Sequence, residues 1–216
     1  MALAVGFRRP SQAEAQTGAV DLAALRPLPV VTLLVPLYRE REMVGEITRA
    51  LGEIDYPPEL LDVKLLLEAG DAGTRAAVAA AELPYWITSV VVPDGAPRTK
   101  PRAMNFALDF AEGEIVDILD AEDRPAPDQL HRVVEHLRAA PPEVACAQCQ
   151  LSYYNATENW ITRCFQIEYS IWFDVLLTGF QRLGLPIPLG GISVYSPLRP
   201  SRAKKRPACL RGVAER

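Results

Sequence analysis

Three carboxylates, Asp120, Glu122 and Asp123, directly follow an apolar segment that ends at Leu119. Carboxylates this close repel one another unless a cation or hydrogen-bond donors compensate them. Their hard oxygens suit Mg²⁺ or Mn²⁺ shared with a phosphate group. The alternative is a helix N-terminus with acids in its first turn, because a helical pattern follows from Pro127. The spacing alone leaves both interpretations open.

Three cations, Arg98, Lys100 and Arg102, surround the predicted start of another helix near Pro101. Positive charges at a helix N-terminus oppose the helix dipole, so they favour a bound anion there. A solvated basic loop is the alternative. Asn105, one turn further along, could contact the same ligand.

Two further polar turns follow apolar segments, and they contain Tyr38 with Glu40 and Glu68 with Asp71. They place polar groups and an aromatic ring where a nucleotide base and ribose would rest. Taken singly, each is typical of an ordinary turn.

Five short apolar segments alternate with helical patterns, which predicts an α/β fold with a mostly parallel sheet flanked by helices. In such sheets the ligand binds beyond the carboxyl ends of the strands, where the four polar groups above lie. The predicted strands are Val30–Val35, Val63–Leu67, Thr88–Val92, Glu114–Leu119 and Glu143–Leu151.

The chain of 216 residues divides by composition into an N-terminal arm (1–29), an α/β domain (30–192) and a basic tail (193–216) predicted to be disordered. The net charge of −4 argues against general nucleic-acid binding. Four cysteines without a secretory signal favour a reducing compartment, and no run approaches the roughly 18 apolar residues of a membrane span. We therefore expect a cytoplasmic protein, or one at the cytoplasmic face of a membrane.

Several other patterns do not indicate a catalytic or metal-binding site. Cys146 and Cys149 have C-x-x-C spacing, but in a strand they point to opposite faces. His131 and His136 are five residues apart on a helix, cannot share a metal and are predicted at the surface. No dinucleotide-binding glycine motif, phosphate-binding P-loop or nucleophile elbow is present.

A long apolar helix is predicted after the capping pattern that begins at Asn155, and it runs to about Leu183. Its aromatic and aliphatic side chains predict burial on the sheet. The alternative is a surface that faces lipid or another domain, in which case residues 159–180 and the basic tail would make a peripheral membrane contact.

Together these motifs resemble glycosyltransferase family 2, in particular its cellulose- and hyaluronan-synthase-like membrane branch. VTLLVPLYRE resembles the family's first strand and turn, TKPRAMNFAL its lysine and asparagine stretch, and ILDAED its D-x-D metal motif. CAQCQLSYYN followed by ENW resembles its glutamine and interface-helix segment, and PIPLGGIS resembles the glycine step of the acceptor site. The resemblance covers Pro29 to Ile192 and implies a GT-A-type fold.

The resemblance also implies a ligand set: a nucleoside-diphosphate sugar, expected to be a UDP-sugar, with Mg²⁺ or Mn²⁺ on its diphosphate. The metal would lie on Asp120 and Glu122, or on Asp123 in place of Glu122, whose arm is longer than the family's aspartate. Glu68 likewise stands where the family has an aspartate. The nucleotide-binding residues implied are Tyr38, Glu40, Glu68, Lys100, Asn105 and Asp120, and the acceptor-side residues are Gln150, Gly190 and Gly191.

The implied reaction is inverting, metal-dependent transfer of a sugar to a hydroxyl acceptor. The family takes its general base from a motif downstream of the glycine step, followed by transmembrane helices, and no residue here is assigned as that base. The sequence changes character near Ile192, which predicts a GT-A domain incomplete at the C-terminus, in a truncated relative of integral membrane proteins. The alternatives are a non-catalytic nucleotide-binding remnant and a nucleotidyltransferase.

Overall fold

The computed structural model describes residues 27–141, 144–149, 158–189 and 193–197. Six strands form one sheet in this part of the chain, with helices on both faces. The strands are β1 (Val31–Leu37), β2 (Leu61–Glu68), β3 (Ile87–Val92), β4 (Ile115–Ile118), β5 (Ala147–Gln148) and β6 (Val194–Pro197). The α-helices are α1 (Val44–Gly52), α2 (Ala72–Ala80), α3 (Lys100–Ala107), α4 (Gln129–Ala139), α5 (Trp160–Ser170) and α6 (Thr178–Arg182).

The strands lie in the order β3-β2-β1-β4-β6-β5. β1, β2, β3 and β4 are parallel to one another. A helix between each of these strands and the next carries the chain back to the end of the sheet where the strands begin. β6 runs antiparallel to both β4 and β5. The predicted fold, a mostly parallel sheet flanked by helices, is confirmed.

Both faces of the sheet are covered, which explains why its strands read as continuous apolar runs. On one face, Leu33 and Val35 of β1 pack in a cluster with residues of α1, α2 and α4. On the other face, Leu34 packs with α3 through Ala103 and Met104. α3 is thereby held across the strands whose carboxyl ends lie near its first turn.

The opposite edge of the sheet is fixed by polar contacts around Asp62. Its carboxylate accepts hydrogen bonds from the Thr32 hydroxyl at 2.8 Å and the Glu112 backbone at 3.0 Å, and pairs with Lys64 at 2.7 Å. Gly113 donates to the Thr32 hydroxyl at 2.8 Å, and a Cβ there would lie 2.5 Å from the Thr32 nitrogen. The entry into β4 therefore requires glycine at this position.

Strand β6 comes from the segment that the sequence predicted as part of the disordered tail. Val194–Pro197 instead lie in the sheet between β4 and β5, with Tyr195 and Ser196 buried. The strand has four residues and no continuous apolar run, so only its pairing with Ile115–Val116 and Ala147–Gln148 reveals it. Of the predicted fifth strand, residues 144–149 are described, and Ala147–Gln148 are the paired residues among them; Glu143, Gln150 and Leu151 lie outside the described residues.

The apolar helix begins later than predicted and is not buried on the sheet. Asn159 caps it, accepting hydrogen bonds from the Ile161 and Thr162 backbone, and Thr162 bonds back to Asn159. α5 passes into a π-helical segment, Ile171–Leu177, and then α6. None of the residues in α5 is buried, so the prediction of burial is wrong. In the described part of the chain, no helix has both the length and the apolar character needed to cross a membrane.

His131 was predicted at the surface but is buried on the inner side of α4. Its ring lies 5.2 Å from that of Tyr56, whose hydroxyl donates to the Pro29 carbonyl at 2.6 Å. The helical stripe of α4 faces the core at Leu130, Val133 and Val134, and His131 is at the margin of that stripe.

Candidate functional site

A cleft of about 350 Å³ lies beyond the carboxyl ends of β1, β2 and β4. The strand order reverses at β1, because the chain runs from β1 outward through β2 to β3 and then returns to β4 on the other side of β1. Such a point of reversal is where open α/β sheets bind ligands. The lining residues are Pro36, Leu37, Tyr38, Glu40, Leu66, Glu68, Arg98, Thr99, Lys100, Ala103, Asp120, Ala121 and Glu122.

The turn after β1 presents Tyr38 and Glu40 to the cleft. Between them Arg39 has a φ of 60°, a left-handed conformation that is costly for a residue with a side chain. Two acceptors at the start of α2 hold the turn in this conformation. Asp71 accepts a hydrogen bond from the Arg39 N–H at 2.6 Å, and the Thr74 hydroxyl accepts one from the Glu40 N–H at 3.2 Å. The Arg39 guanidinium lies 5.2 Å from the centre of the Tyr38 ring.

Asp71 also caps α2, because its carboxylate accepts from the Thr74 backbone at 3.2 Å. Burial acts to raise the pKa of Asp71, but the hydrogen bonds from Arg39 and Thr74 outweigh it and leave the pKa below its usual value. The Asp71 carboxylate therefore supports the turn as an ionised acceptor, and sequence reasoning had counted it only as part of a polar turn.

The turn after β4 is closed by Asp123. Its Oδ2 accepts from the Asp120 N–H at 2.8 Å, and the Asp123 N–H donates to the Asp120 carbonyl at 3.0 Å. Burial raises the pKa of Asp123 to about 7; the Asp120 backbone bond lowers it, while the Asp120 and Glu122 charges add to the rise. Asp123 is buried and does not line the cleft, so it shapes the turn that carries the other two carboxylates.

Asp120 and Glu122 face the cleft opposite the start of α3, where the Lys100 ammonium contacts the Asp120 carboxylate. Both side chains of this pair are about two-fifths exposed, so the contact is open to exchange with a ligand. The structure therefore brings together one predicted carboxylate cluster and one predicted cation from segments 20 residues apart.

The same charged groups also change the pKa of Glu40, which lies in the turn after β1. Burial raises the pKa of Glu40 above its ordinary value, and the Glu122 and Asp120 carboxylates raise it further. The Lys100 charge and a backbone hydrogen bond from Tyr38 act in the opposite direction. Negative charge is thus crowded at this end of the cleft.

That crowding fits a divalent cation bound with an anionic ligand. Within the described ranges, Glu40 Oε2 is buried and has no hydrogen-bond partner. In the same residues no three histidine, cysteine or acidic side chains are arranged to hold a metal ion by themselves. Asp120 and Glu122 can supply two oxygens, and a ligand's phosphate oxygens would have to supply others.

Glu68 lies at the other end of the cleft, at the last position of β2. Its Oε2 is 3.6 Å from Nη1 of Arg102, and both side chains are largely buried. The sequence analysis counted Arg98 and Arg102 only among the cations that favour an anion near Pro101. Arg98 lines the cleft, whereas Arg102 contacts it through Glu68; Thr99, which also lines the cleft, was missed.

Two of the predicted site residues, Asp123 and Asn105, belong to the described structure but do not line the cleft. Asn105 lies partly buried within α3 and is not among the lining residues. Gln150, Gly190 and Gly191 lie outside the described residues.

The helical segment from α5 to α6 carries large apolar side chains that are exposed. Trp160 is 73% exposed, Ile167 60% and Val175 61%. Further exposed apolar residues in this segment are Ile161, Phe165, Ile171, Trp172, Leu176 and Leu183. An exposed apolar surface of this extent marks an interaction surface on soluble domains.

Comparison with known proteins defines the class. Residues 28–195 match the family described as "Glycosyltransferase like family 2". The chain belongs to this family of glycosyltransferases, and the predicted family membership is confirmed.

Curated relatives are similar over most of the described domain. The chain is 29% identical over 170 residues to a beta-monoglucosyldiacylglycerol synthase from Synechocystis and 28% identical over 160 residues to one from Trichormus variabilis. The matches cover 69% and 73% of this chain but 35% and 34% of the relatives, so the chain spans about a third of their length.

Solved structures show the same fold. A mannosyltransferase from Pyrobaculum calidifontis, in complex with GDP-Man and Mn²⁺, is 36% identical with a TM-score of 0.50 over 58% of this chain and 36% of its own. Glucosyl-3-phosphoglycerate synthase from Mycobacterium tuberculosis, in complex with UDP, has a TM-score of 0.52 at 16% identity over 90% of this chain and 64% of its own. The GT-A-type fold expected from the sequence is confirmed.

Proposed function

We propose that this chain transfers a sugar from a nucleoside-diphosphate sugar to a hydroxyl acceptor, with inversion and with Mg²⁺ or Mn²⁺. The observation that carries the proposal is the cleft, in which carboxylates after β4 face a lysine at the start of α3 while another carboxylate lies at the end of β2. A nucleotide laid along this edge has its diphosphate at Asp120 and its base at Glu68.

Tyr38, Glu40 and Glu68 would contact the nucleoside. Tyr38 offers an exposed ring for stacking, and the Asp71 hydrogen bond holds the turn that carries it. Glu40 and Glu68 present carboxylate oxygens, which accept hydrogen bonds from ribose hydroxyls and from base N–H groups.

Lys100 would bind the diphosphate, since its ammonium and the positive end of the α3 dipole both favour an anion. Asp120 and Glu122 would hold the divalent ion. When bound, the ion neutralises charge on the departing diphosphate, which makes it a better leaving group. Lys100 can move from Asp120 to a phosphate oxygen, because its contact with Asp120 is solvent-accessible.

The donor is proposed to be a UDP-sugar, with a GDP-sugar as the second candidate. The first rests on the family resemblance. The second is supported by the Pyrobaculum mannosyltransferase, which has GDP-Man and Mn²⁺ in its complex. Both carry the same diphosphate, so the roles of Lys100, Asp120 and Glu122 are common to the two.

The acceptor is proposed to be a lipid hydroxyl. The curated relatives are named as beta-monoglucosyldiacylglycerol synthases, and the apolar surface of α5 to α6 would suit attachment to a membrane that contains such an acceptor. Gln150, Gly190 and Gly191 stay proposed acceptor-side residues. The three cysteines in the described part of the chain are not joined by a disulfide.

The metal assignment is tested by titrating Mn²⁺ into the protein by calorimetry, with and without UDP or GDP. We expect weak binding to the protein alone and tighter binding with nucleotide, and we expect Asp120→Asn to abolish the gain. Asp109→Asn is the matched control, because Asp109 is exposed in the turn after α3 and away from the cleft. Equal nucleotide-dependent Mn²⁺ binding by the wild type and Asp120→Asn would refute the assignment.

Nucleotide release from UDP- and GDP-sugars then separates transfer from binding alone. Turnover with a lipid acceptor supports the proposed reaction. Binding of nucleotide without turnover on any acceptor supports the non-catalytic nucleotide-binding alternative.

A further inference from the structure

The Gln129 side chain joins the segment that follows β4 to strand β6. Its Oε1 accepts a hydrogen bond from the Ala126 N–H at 3.2 Å, and its Nε2 donates to the Tyr195 hydroxyl at 2.9 Å. The Gln129 N–H also donates to the Ala126 carbonyl at 2.9 Å. One end of this amide therefore closes a local turn, while the other end makes a tertiary contact across 66 residues of the chain.

The carboxylate loop, residues 119–128 between β4 and α4, carries Asp120 and Glu122 into the cleft. It contains two closed turns. Asp123 closes the first through its hydrogen bonds with Asp120. The pair of hydrogen bonds between Ala126 and Gln129 closes the second. Only two residues separate Asp123 from Ala126, so the second turn restrains the first.

Two further contacts hold the carboxylate loop from another side. Arg124 Nη2 lies 3.3 Å from Glu46 Oε2 on α1, and both side chains are about half exposed. The Pro127 carbonyl accepts a hydrogen bond from the Asp55 N–H at 2.9 Å. These contacts tie the loop to α1 and to the segment that follows α1, whereas Gln129 ties it to β6.

Tyr195 is the buried end of the bridge. Its side chain belongs to the same hydrophobic cluster as that of Ala121, which stands between the two cleft carboxylates in the sequence. β6 runs antiparallel to β4 with Ser196 opposite Val116, so Tyr195 lies toward the carboxyl end of β4, where the carboxylate loop begins. The loop is thus hydrogen-bonded through Gln129 to a residue of the core.

A fixed loop matters because the protein offers a divalent ion few ligands. Asp120 and Glu122 supply the carboxylates that face the cleft, and phosphate oxygens would complete the shell. With so few protein ligands, the affinity for the ion depends on the contacts that orient them. A carboxylate that must first be ordered binds more weakly, since ordering it costs conformational entropy.

We infer that Gln129 is a positioning residue, which couples the carboxylate loop to β6 and thereby holds Asp120 and Glu122 ready for a divalent ion that binds with the nucleotide. This rests on the proposed function, which places the ion at these two carboxylates. The coupling is reciprocal, because an ion that orders the loop also stabilises β6 through the same bridge. β6 follows the proposed acceptor-side residue Gly191 closely in the chain, so the bridge links the ion to that strand.

The test measures UDP and GDP affinity by calorimetry with Mn²⁺ and with EDTA, and the ratio of the two affinities is the metal-dependent gain. Gln129→Met removes both side-chain hydrogen bonds of the bridge, and Tyr195→Phe removes the hydroxyl. Each should lower the gain by about two- to tenfold, the factor expected for a lost hydrogen bond, with the affinity in EDTA unchanged. The double variant should lose no more than Gln129→Met alone, because both substitutions break the same bond.

Tyr56→Phe is the matched control for Tyr195→Phe. It removes a buried tyrosine hydroxyl that donates to the Pro29 carbonyl at 2.6 Å, in the same hydrophobic cluster but at the amino end of β1. It should lower the melting temperature and leave the metal-dependent gain unchanged. Thermal melting of every variant shows whether it is folded.

The two bridge variants also control for each other. The Tyr195 hydroxyl lies near Asp117, and Gln129→Met leaves that contact in place. Tyr195→Phe in turn leaves the hydrogen bonds between Gln129 and Ala126 in place. A loss of gain that both variants share therefore belongs to the hydrogen bond between Gln129 and Tyr195.

Amide hydrogen exchange measures the reciprocal half of the coupling. Mn²⁺ with nucleotide should slow the exchange of the β6 amides in the wild type and not in Gln129→Met. Exchange of β6 that stays the same when Mn²⁺ and nucleotide bind to the wild type would refute the coupling.

Each calorimetric outcome decides a different point. If the wild type shows a metal-dependent gain that Gln129→Met and Tyr195→Phe both retain, the inference is wrong while the proposed metal site stands. An equal loss of gain in Tyr56→Phe also overturns the inference, since lower stability alone would then explain the effect. If the wild type shows no gain with Mn²⁺, the proposed metal assignment fails and the inference fails with it.

Discussion

The Asp71 carboxylate accepts a 2.6 Å hydrogen bond from the backbone N–H of Arg39, across 32 residues of the chain. The same side chain caps α2, so one residue fixes both a helix terminus and the turn that carries Tyr38 and Glu40. The turn needs this support because Arg39 has a φ of 60°. A residue outside the cleft thus determines the shape of one of its walls.

Asp71→Ala should weaken nucleotide binding and lower stability together. Loss of a helix cap costs about 0.5–2 kcal/mol, and the freed turn would no longer present Tyr38 in a fixed orientation. UDP or GDP affinity by calorimetry and urea unfolding measure the two effects. Asp71→Asn keeps one acceptor oxygen and replaces the other with an amide N–H donor, so it can retain only one of the two hydrogen bonds and should fall between the wild type and Asp71→Ala. An Asp71→Ala variant with unchanged nucleotide affinity would show that the turn is rigid without this bond.

Lys100→Met should weaken UDP or GDP binding by about 1–3 kcal/mol, the value of a hydrogen bond to a charged group. The melting temperature should change little, because the contact between Lys100 and Asp120 is solvent-accessible. Calorimetry and thermal melting give the two values. A sharp fall in melting temperature with unchanged nucleotide affinity would instead identify Lys100 as a structural residue.

Asp117 should make stability fall as the pH rises. Burial raises the pKa of Asp117 well above its ordinary value of 3.8, and the nearby donor groups of Ile118, Tyr195 and Ser193 lower it only in part. Neither oxygen of the Asp117 carboxyl group has a hydrogen-bond partner of good geometry among the described residues. The folded state therefore retains a proton that the unfolded chain loses above about pH 4, which costs up to about 1.4 kcal/mol per pH unit until the folded pKa is reached.

Asp117→Asn removes this titration and should flatten the stability curve between pH 4 and pH 8. Urea unfolding across that range measures the slope. Asp123, whose pKa is raised to about 7, leaves a smaller slope of the same sign in the variant. An identical slope in the wild type and Asp117→Asn would mean that Asp117 loses its proton in the folded protein as readily as in the unfolded chain, so that folding does not raise its pKa.

The helical segment from α5 to α6 should bind lipid vesicles. Trp160→Ser and Ile167→Ser each remove an exposed apolar side chain, and each should weaken co-sedimentation with anionic phospholipid vesicles several-fold, in proportion to the apolar area lost. Tyr85→Ser is the matched control, since Tyr85 is 77% exposed between α2 and β3. Vesicle binding that both helix variants retain in full would exclude this surface as the contact.

Much of the fold was predictable because its strands are buried on both faces. A continuous apolar run such as that of β2, which ends at Glu68, predicts a strand buried on both faces. The alternation of such strands with helices predicts a parallel sheet. The meeting of Lys100 with Asp120 follows from the same logic, because the chain leaves parallel strands at one edge.

Local sequence patterns did not reveal the role of residues whose role depends on tertiary contacts. The sequence predicted Asp123 only as a metal ligand, whereas the structure adds a contact that no local pattern indicates: its Oδ2 accepts a hydrogen bond from the Asp120 N–H and closes the turn. The apolar helix has the composition of a buried element, yet none of the residues in α5 is buried.

The sequence by itself determined the order of strands and helices, the apolar core and the carboxylates and cations available at one edge, since each depends on residue type and local spacing. The tertiary structure decided the position of β6, the support of Arg39 by Asp71 and the pairing of Glu68 with Arg102. These contacts join segments that are distant along the chain. Their energies depend on burial and on distances of a few ångströms, and no pattern of neighbouring residues encodes either quantity.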